Sequence, residues 1–321
     1  MEAARRVLKL FLRAVAFVAD GKYRRDTVRL VCGKKKDRKQ RENILKYLET
    51  SKFPDTEGIR SFLKDHDGIV FPYDFSLVYS PDDVKVFRDT MNAGMMYVMH
   101  NGKRMYVKRE FKFRFQVQNY YNSLRVEQDM SSPHRYLLEG RHPSEDCVVA
   151  DLDGAEGMFA LDIIDSVRKV YIFEGDPGWL EALRLTFAPY GDKVEIVSRY
   201  VAEKTEGIMV RLDDFFRDRK IDYIKADIEG WEEKMLEGAS EILDTKVSQV
   251  LCCVYHREDS EACISGFLRK KGFSVSVNEK YMIFIYSDQV TGEPLRPPYL
   301  RHGVMYAQKA RPDARTNPSR P

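Results

Sequence analysis

Short apolar runs alternate with helical patterns in the second half of the chain. From Cys147 onward the runs are CVVADL, KVYIFE, KVEIVS, YIKADI and QVLCCVY, separated by amphipathic stretches such as GWLEALRLTFAPY and WEEKMLEGASEIL. Strands buried on both faces read as continuous apolar runs, and parallel neighbours need helical crossovers. The pattern predicts an α/β fold over residues 131–309, a doubly wound Rossmann-like sheet with its ligand site at the carboxyl ends of the strands.

The first half of the chain is patterned differently. Residues 1–50 predict a basic helical arm that contains the amphipathic run VLKLFLRAVAFVA. Residues 51–130 predict a small β-rich subdomain, because GIVFPYDFSLVY alternates like strands and FKFRFQ begins as a strand alternation before a helical pattern. Asn101 and Gly102 predict a hairpin, since both central residues of a type I′ turn need positive φ. Residues 310–321 are rich in Pro and Arg and predict a disordered tail.

Charge is unevenly distributed along the chain. Residues 1–46 carry 15 Lys or Arg against 5 Asp or Glu, which leaves about +10 there and −7 in the remainder of a chain whose net charge is +3. The overall balance is not that of a dedicated nucleic-acid binder, so no nucleic acid is expected as a partner. The arm is either solvated or makes a peripheral contact with an anionic membrane or glycan.

Lys9 and Arg13 interrupt the apolar run of the arm, which is therefore interpreted neither as a signal peptide nor as a membrane span. The 5 cysteines include no CxxC pair and no histidine spacing suited to zinc, so reduced and mostly buried thiols are expected. Together these features predict a cytoplasmic protein, with the inner face of the membrane as the place of any contact. The oligomeric state cannot be read from the pattern.

The turn after the first predicted strand has the composition of a cofactor loop. It is followed by a second run that ends at Glu174, about 20 residues on, where a carboxylate can accept ribose hydroxyls. No GxGxxG loop for a diphosphate is present, which favours an adenosine cofactor without phosphates, S-adenosylmethionine. The alternative is an ordinary strand-to-helix turn with a solvated Glu174. The predicted cofactor residues are Asp151, Asp153, Gly154, Ala155, Glu156, Gly157, Glu174 and, after the third run, Ser198.

Charged residues mark the ends of the fourth and fifth predicted strands. Lys225, Asp227 and Glu229 occupy alternate positions, so their side chains leave the same face of a strand. His256 follows the fifth apolar run. Charges at a buried strand end are costly unless they are paired or functional, and the sequence therefore predicts a catalytic edge formed by Asp227, Glu229 and His256.

Five motifs in this half share order and spacing with a known family. DLDGAEG, FEGDP, LDDFF, IKADIEGWEEKMLEGA and the closing helix before GF resemble the FkbM family of S-adenosylmethionine-dependent methyltransferases over about residues 147–286. EQDMSSPHRYL, the NGKRMY hairpin and YLRHGVMYAQK resemble a bacterial subgroup of that family. The resemblance implies a Rossmann-like methyltransferase sheet after a helical and β-hairpin subdomain. It also implies O-methylation of a sugar hydroxyl in a polysaccharide or related glycan.

One position departs from the family loop, which carries a glycine where this chain has Asp153. One interpretation is that Gly154 supplies the backbone freedom one position later and that Asp153 faces the cationic groups of the cofactor. The other is that the loop has lost its affinity and the protein is an inactive binding module. The retained Asp151, Glu156, Gly157 and Glu174 favour the first interpretation, because a decaying site should lose them too.

The predicted reaction is attack by an acceptor hydroxyl on the cofactor methyl group. Asp227 and His256 are the candidates for base and orienter, while Glu229 and Lys225 order the acceptor pocket or pair with each other. A divalent metal on Asp227, Glu229 and His256 is a further hypothesis.

Three residues before the first sheet strand complete the predicted site. Gln128, His134 and Arg135 either close over cofactor and acceptor or form a cap that packs on the sheet. The functional alternatives are an inactive methyltransferase-like binding module and an NAD-dependent sugar-modifying enzyme. The latter would need a diphosphate loop that the sequence lacks.

Overall fold

The computed structural model describes residues 34–66, 70–285 and 296–309. Its helices in chain order are α1 (Lys34–Leu48), α2 (Thr56–Asp65), α3 (Arg114–Glu127), α4 (Met158–Ile163), α5 (Pro177–Phe187), α6 (Leu212–Phe215), α7 (Glu232–Gly238), α8 (Ser240–Thr245) and α9 (Ser260–Lys270). Its strands are β1 (Val86–Asp89), β2 (Met95–His100), β3 (Lys103–Tyr106), β4 (Val148–Leu152), β5 (Lys169–Phe173), β6 (Val194–Val197), β7 (Tyr200–Val201), β8 (Met209–Val210), β9 (Tyr223–Ala226), β10 (Gln249–Cys253), β11 (Phe273–Val277), β12 (Tyr281–Ile283), β13 (Leu300–His302) and β14 (Val304–Lys309).

A seven-stranded sheet forms the centre of the molecule, in the order β11-β14-β10-β9-β4-β5-β6. Neighbours from β6 to β10 are parallel, whereas β14 runs antiparallel to both β10 and β11. The chain continues from β4 to β5 on one side and later returns to β9 on the other. This reversal creates a topological switch point, where open α/β sheets bind ligands at the carboxyl ends of their strands. The predicted Rossmann-like α/β fold is confirmed.

Apolar side chains of the central strands are buried on both faces of the sheet. Val149 packs in the cluster that contains Phe159 of α4 and Leu183 of α5. Its neighbour Val148 packs in the opposite cluster, with Met235 of α7. Alternate residues of one strand thus meet different helical layers, which explains why β4 reads as a continuous apolar run.

The predicted hairpin is confirmed by the antiparallel pairing of β2 with β3. Asn101 and Gly102 form the turn with φ values of 48° and 79°. The backbone N–H of Tyr106 donates to Oγ1 of Thr186 in α5 at 3.0 Å, so the hairpin is attached to the helical layer of the large sheet.

Two local strand predictions in this region are wrong. Residues 74–77, within GIVFPYDFSLVY, form a 3₁₀ turn, which the Ser76 hydroxyl closes by donating to the Tyr73 carbonyl at 2.7 Å. The alternation in FKFRFQ leads directly into α3. Oε1 of Gln116 accepts the backbone N–H groups of Lys112 at 2.8 Å and Phe113 at 2.9 Å, and these bonds satisfy donors at the helix start.

The basic helix α1 is confirmed over KKKDRKQRENILKYL, and it is packed against the rest of the molecule. Ile44 and Leu48 are buried in a cluster with Ile59 and Leu63 of α2 and Leu300 of β13. The apolar run of the arm lies outside the described residues, as does the tail after residue 309. The predicted domain limits remain predictions. Within the part of the chain that is described, no helix has both the length and the apolar character needed to cross a membrane.

Candidate functional site

A cavity opens at the carboxyl ends of β4, β5 and β9, and α3 forms part of its wall. It brings together most of the predicted site residues, namely Gln128, Asp153, Gly154, Ala155, Glu156, Glu174, Lys225, Asp227 and Glu229. The remaining ones do not line it, and these are His134, Arg135, Asp151, Gly157, Ser198 and His256. The cavity therefore coincides with the switch point that the sheet order defines.

The loop after β4 accommodates Asp153 by placing this residue in the left-handed region, with φ at 60°. Aspartate tolerates that region better than most residues with a side chain. Gly154 does not have a positive φ, so the prediction that it supplies the missing freedom is wrong. A Cβ atom on Gly154 would lie 2.3 Å from Cγ2 of Ile172, and glycine is needed there for close approach to β5.

Glu174 connects the loops that follow β4 and β5. Its Oε2 accepts the N–H of Ala155 at 2.8 Å, and its Oε1 accepts the N–H of Asp176 at 2.7 Å. Burial raises the pKa of Glu174 to about 7 against the opposing effect of these two bonds. Each carboxylate oxygen keeps a second lone pair, so Glu174 can still accept ribose hydroxyls as the sequence predicts.

Asp151 forms a buried ion pair with Lys225 inside the sheet. Oδ1 of Asp151 lies 3.0 Å from Nζ of Lys225, and both residues are almost inaccessible to solvent. Burial would lower the pKa of Lys225, but the charges of Asp151 and Asp227 raise it overall. Asp151 is thus a partner of Lys225 and not a cavity residue, and the predicted pairing of Lys225 with Glu229 is corrected.

Asp227 is held by a network of hydroxyl groups and imidazoles. Tyr136 donates to its Oδ2 at 2.6 Å and Tyr255 to its Oδ1 at 3.1 Å, while Nε2 of His134 lies 3.4 Å from Oδ2. Burial acts to raise the pKa of Asp227, but the His134 contact and the charges of His256 and Lys225 lower it well below its usual range. This carboxylate is fixed in position and ionised.

His256 lies behind Asp227 and is fully buried. Its Nδ1 is 2.9 Å from Oε1 of Glu232, and its Nε2 is 3.6 Å from an oxygen of each of Asp227 and Glu229. Burial acts to lower the pKa of His256, but Glu232, Glu229 and Asp227 raise it to about 9. The structure thus places His256 near both Asp227 and Glu229, and sequence reasoning missed Glu232, the first residue of α7.

Gln128, His134 and Arg135 form a cap at the end of α3, of which only Gln128 reaches the cavity. Arg135 donates to the backbone carbonyls of Gln128 and Leu137, so its predicted contact with substrate is replaced by a structural role. His134 is buried, with Nε2 at 3.0 Å from the hydroxyl of Tyr255.

Two predicted cofactor residues lie away from the cavity for local reasons. Gly157 precedes α4 with φ at 85°, and a Cβ there would lie 2.6 Å from the ring of Phe187. Ser198 follows β6 and is exposed to solvent. Gly157 thus shapes a strand-to-helix turn and Ser198 lies in the link between β6 and β7, and neither contributes to the cavity wall.

The opposite wall of the cavity comes from a segment that sequence reasoning missed. It contributes Lys108, Phe111, Tyr120 and Tyr136, and it faces Trp179 of α5. Tyr120 donates a short hydrogen bond to Glu156, 36 positions along the chain. The aromatic residues were visible in FKFRFQVQNYY, but nothing in their local pattern indicates which distant strand end they face.

The cavity carries a large excess of carboxylates. Seven line it, Glu127, Asp153, Glu156, Glu174, Asp176, Asp227 and Glu229, against two lysines, Lys108 and Lys225. Each lysine has an acidic neighbour within 3.2 Å, Asp176 for Lys108 and Asp151 for Lys225. Burial first, and then the charges of Glu174 and Glu229, raise the pKa of Asp153 well above its usual range. Such a wall favours a cationic ligand and disfavours a diphosphate.

Comparisons with known proteins give one family match and several similar solved structures. Residues 191–275 match the model of the Methyltransferase FkbM domain. A sequence comparison with curated proteins gives no match. Among solved structures, methyltransferase FkbM from Methylobacillus flagellatus is similar, with 17% identity and a TM-score of 0.43 over 60% of this chain. The alignment spans only about half of that protein, 53% of its chain.

Two further solved structures are similar to part of the chain. An rRNA methylase from Streptococcus thermophilus aligns at 16% identity with a TM-score of 0.35, over 52% of this chain and 89% of the other. SMU.1697c, a putative methyltransferase from Streptococcus mutans in complex with SAH, aligns at 12% identity with a TM-score of 0.36. The alignment covers 52% of this chain and 90% of the other.

The family match runs from just before β6 into β11 and includes Asp227, Glu229 and His256. The motifs noted in the sequence extend on both sides of it. The family indicated by those motifs is confirmed over residues 191–275, the part of the chain that matches the Methyltransferase FkbM domain.

Proposed function

We propose that this protein is an S-adenosylmethionine-dependent O-methyltransferase whose acceptor is a sugar hydroxyl in a polysaccharide or related glycan. The observation that carries the proposal is the carboxylate-rich cavity at the switch point, with Glu174 at the end of β5. The family match supports methyl transfer. The glycan acceptor rests on the motif resemblance together with a cavity whose carboxylates and aromatic faces suit a polyhydroxylated ring.

The residues present fit this cofactor. S-adenosylmethionine carries a sulfonium and an ammonium group against one carboxylate, so it is a net cation suited to an acidic cavity. Glu174 would accept the ribose hydroxyls, and the carboxylates of Asp153 and Glu156 would hold the cationic end. When bound, the cofactor supplies a methyl group on a sulfonium, activated toward a nucleophile.

The chain's own contribution is to position the acceptor and receive its proton. Asp227 lines the cavity with its carboxylate fixed by Tyr136 and Tyr255, so it can orient a hydroxyl by accepting its hydrogen bond. That hydroxyl becomes strongly acidic as its oxygen gains the methyl group, and even a weakly basic carboxylate then takes the proton. Positioning of this kind supplies a large part of the acceleration in such reactions.

An NAD-dependent reaction finds less support in the cavity. The two lysines on its wall are each paired with a carboxylate, and among the described lining residues no other Lys or Arg is present to neutralise a diphosphate. An acidic wall would instead repel the pyrophosphate of a dinucleotide.

The test is a pair of measurements on the full chain. Calorimetry should show binding of S-adenosylmethionine and none of NAD. Cofactor labelled in its methyl group should transfer label to a cell-envelope glycan fraction, and Asp227→Asn should lose transfer while keeping cofactor affinity. Binding without transfer to any glycan would favour the inactive binding module, and absence of binding would reject the proposal.

A further inference from the structure

Two phenylalanine side chains protrude from the molecule where α3 begins. Phe113 is 60% exposed and Phe115 is 54% exposed, although a side chain of this kind is ordinarily buried. Their rings lie nearly parallel, with centroids 5.7 Å apart and an angle of 14° between the planes. The two rings therefore form one continuous apolar projection, which we call the phenylalanine tip.

Basic residues alternate with the two rings along the chain. Lys112 and Arg114 are both exposed, and among the described residues neither forms an ion pair. The nearest acidic residue in the sequence is Glu110, whose carboxylate is directed to the start of α5, where a Cβ atom on Gly178 would lie 3.4 Å from its Oε2. The phenylalanine tip is thus flanked by two cations that are available to an anionic partner.

The backbone groups at the phenylalanine tip are hydrogen-bonded within the protein. Oε1 of Gln116 accepts the N–H groups of Lys112 at 2.8 Å and Phe113 at 2.9 Å, and the Phe113 carbonyl accepts the N–H of Gln116 at 3.1 Å. Nδ2 of Asn119 donates to the Phe115 carbonyl at 2.8 Å. Unpaired backbone groups are costly in an apolar phase, so these bonds lower the cost of moving the tip out of water.

The phenylalanine tip is attached to the wall of the cavity. Phe111, two residues before Phe113, lines the cavity and contacts Tyr120 and Trp179, with ring centroids 5.1 Å and 6.0 Å away. The two exposed rings therefore project from a packed aromatic cluster. A fixed apolar projection between cations has the chemistry of an interfacial anchor, in which rings enter the acyl boundary and cations meet anionic headgroups.

We propose that the phenylalanine tip docks the protein on an anionic lipid bilayer. Phe113 and Phe115 enter the boundary between headgroups and acyl chains, while Lys112 and Arg114 contact the headgroup phosphates. The docked tip holds the cavity close to the bilayer surface. This contact is separate from methyl transfer, because it involves neither the cofactor nor the acceptor.

Other exposed apolar side chains lack this combination of features. Met91 is 90% exposed, more than either phenylalanine, but its neighbours Thr90 and Asn92 carry no charge. Single exposed apolar side chains are ordinary on protein surfaces. Met91 is therefore the matched control for the loss of an exposed apolar group.

The test uses the full chain and vesicles of phosphatidylglycerol and phosphatidylcholine. The variant with Phe113→Ser and Phe115→Ser should bind these vesicles at least about tenfold more weakly in sedimentation, because two rings no longer leave water. Met91→Ser should bind as the wild type does. Circular dichroism checks that each variant is folded.

A second pair of variants tests the cations. Lys112→Gln with Arg114→Gln should weaken binding about 10- to 30-fold, since each basic residue near an anionic surface contributes about 1 kcal/mol. The loss should disappear on vesicles of phosphatidylcholine alone. Arg269→Gln with Lys270→Gln removes the same charge from exposed positions at the end of α9 and should have a smaller effect.

Insertion can be measured directly with Phe115→Trp. The introduced indole should emit at shorter wavelength when vesicles are added, and lipids brominated on their acyl chains should quench it. The wild type, which contains Trp179 and Trp231, gives the background signal. An introduced indole that is neither shifted nor quenched would show that the tip stays in water and would overturn the proposal.

The docking surface would also be rejected if the wild type did not sediment with anionic vesicles, or if the double phenylalanine variant sedimented as the wild type does. Equal losses in that variant and in Met91→Ser would reject it as well. A dimer in analytical ultracentrifugation that the phenylalanine variant dissociates, without any change in vesicle binding, would identify the tip as a contact between two copies. Because these assays contain neither S-adenosylmethionine nor glycan, their outcomes are independent of the proposed function.

Discussion

Asp151 and Lys225 occupy paired positions on the neighbouring strands β4 and β9, and their charged atoms meet 3.0 Å apart inside the sheet. The acidic residue at the start of the cofactor loop is therefore the partner of a lysine one strand away. Each charge would be isolated in the core without the other. The pair fixes the strand ends from which the site residues leave.

Replacing one partner of this ion pair should destabilise the protein more than replacing both partners. We expect Lys225→Met to lower the free energy of unfolding by about 3–5 kcal/mol, because it leaves the buried Asp151 carboxyl group without its partner. The double variant with Asp151→Asn should recover much of that loss in urea unfolding. Lys220→Met, whose ion pair with Asp222 is exposed, is the matched control. Equal losses for Lys225→Met and the control would contradict the assigned role.

Glu174→Gln should weaken binding of S-adenosylmethionine by roughly 10- to 100-fold, since hydrogen bonds to charged groups contribute about 1.5–3 kcal/mol. Wild-type affinity should rise with pH through about 7, as Glu174 becomes ionised. The variant should lack this dependence in calorimetric titrations. Glu181→Gln is the control for the loss of one negative charge, because it removes an exposed carboxylate that pairs with Arg109. A pH profile shared by both proteins would remove Glu174 from the cofactor site.

The carboxyl group of Glu174 should also make the stability of the fold depend on pH. Its pKa is raised in the folded protein from 4.5 to about 7, so between these values the folded chain holds a proton that the unfolded chain has released. The free energy of unfolding should therefore fall as pH rises across this interval, through the contribution of this group. Urea unfolding at several pH values should show a smaller decrease for Glu174→Gln than for wild type. A difference of opposite sign would refute the raised pKa.

The loop after β4 makes two glycine-related substitutions act in opposite directions. Asp153→Gly should stabilise the fold by about 1 kcal/mol, because it relieves a side chain with φ at 60° and removes a buried carboxyl group. Gly154→Ala should destabilise it by about 1–3 kcal/mol, since the new methyl group would overlap Ile172. Thermal unfolding distinguishes them, and a stabilised Gly154→Ala would show that the loop is described incorrectly.

Removal of residues 1–33 should leave the fold and cofactor binding intact and reduce sedimentation with anionic vesicles at low salt. Screening at high salt should abolish the difference. Removal of residues 1–46 should in addition destabilise the protein, because Ile44 is fully buried against α2. Equal sedimentation with and without residues 1–33 would identify the arm as merely solvated.

The central strands β4, β5, β9 and β10 could be predicted from sequence, because they are buried on both faces and therefore appear as continuous apolar runs. The start of α3 could not, since the alternation of Phe111, Phe113 and Phe115 has the strand period and only the Gln116 bonds identify a helix start. For the site, periodicity places Lys225 and Asp227 on one face. Periodicity does not reveal the register between β4 and β9, and it is this register that places Lys225 opposite Asp151.

The position of β14 within the sheet has a consequence for synthesis. β14 is hydrogen-bonded on both sides, to β10 and to β11, although both of these strands precede it in the chain. On the ribosome, the nascent domain therefore has two unpaired strand edges until Val304–Lys309 has emerged. Such edges template pairing with other chains. Completion of this sheet therefore waits for residues 304–309, and chains arrested before residue 304 expose strand edges that favour aggregation.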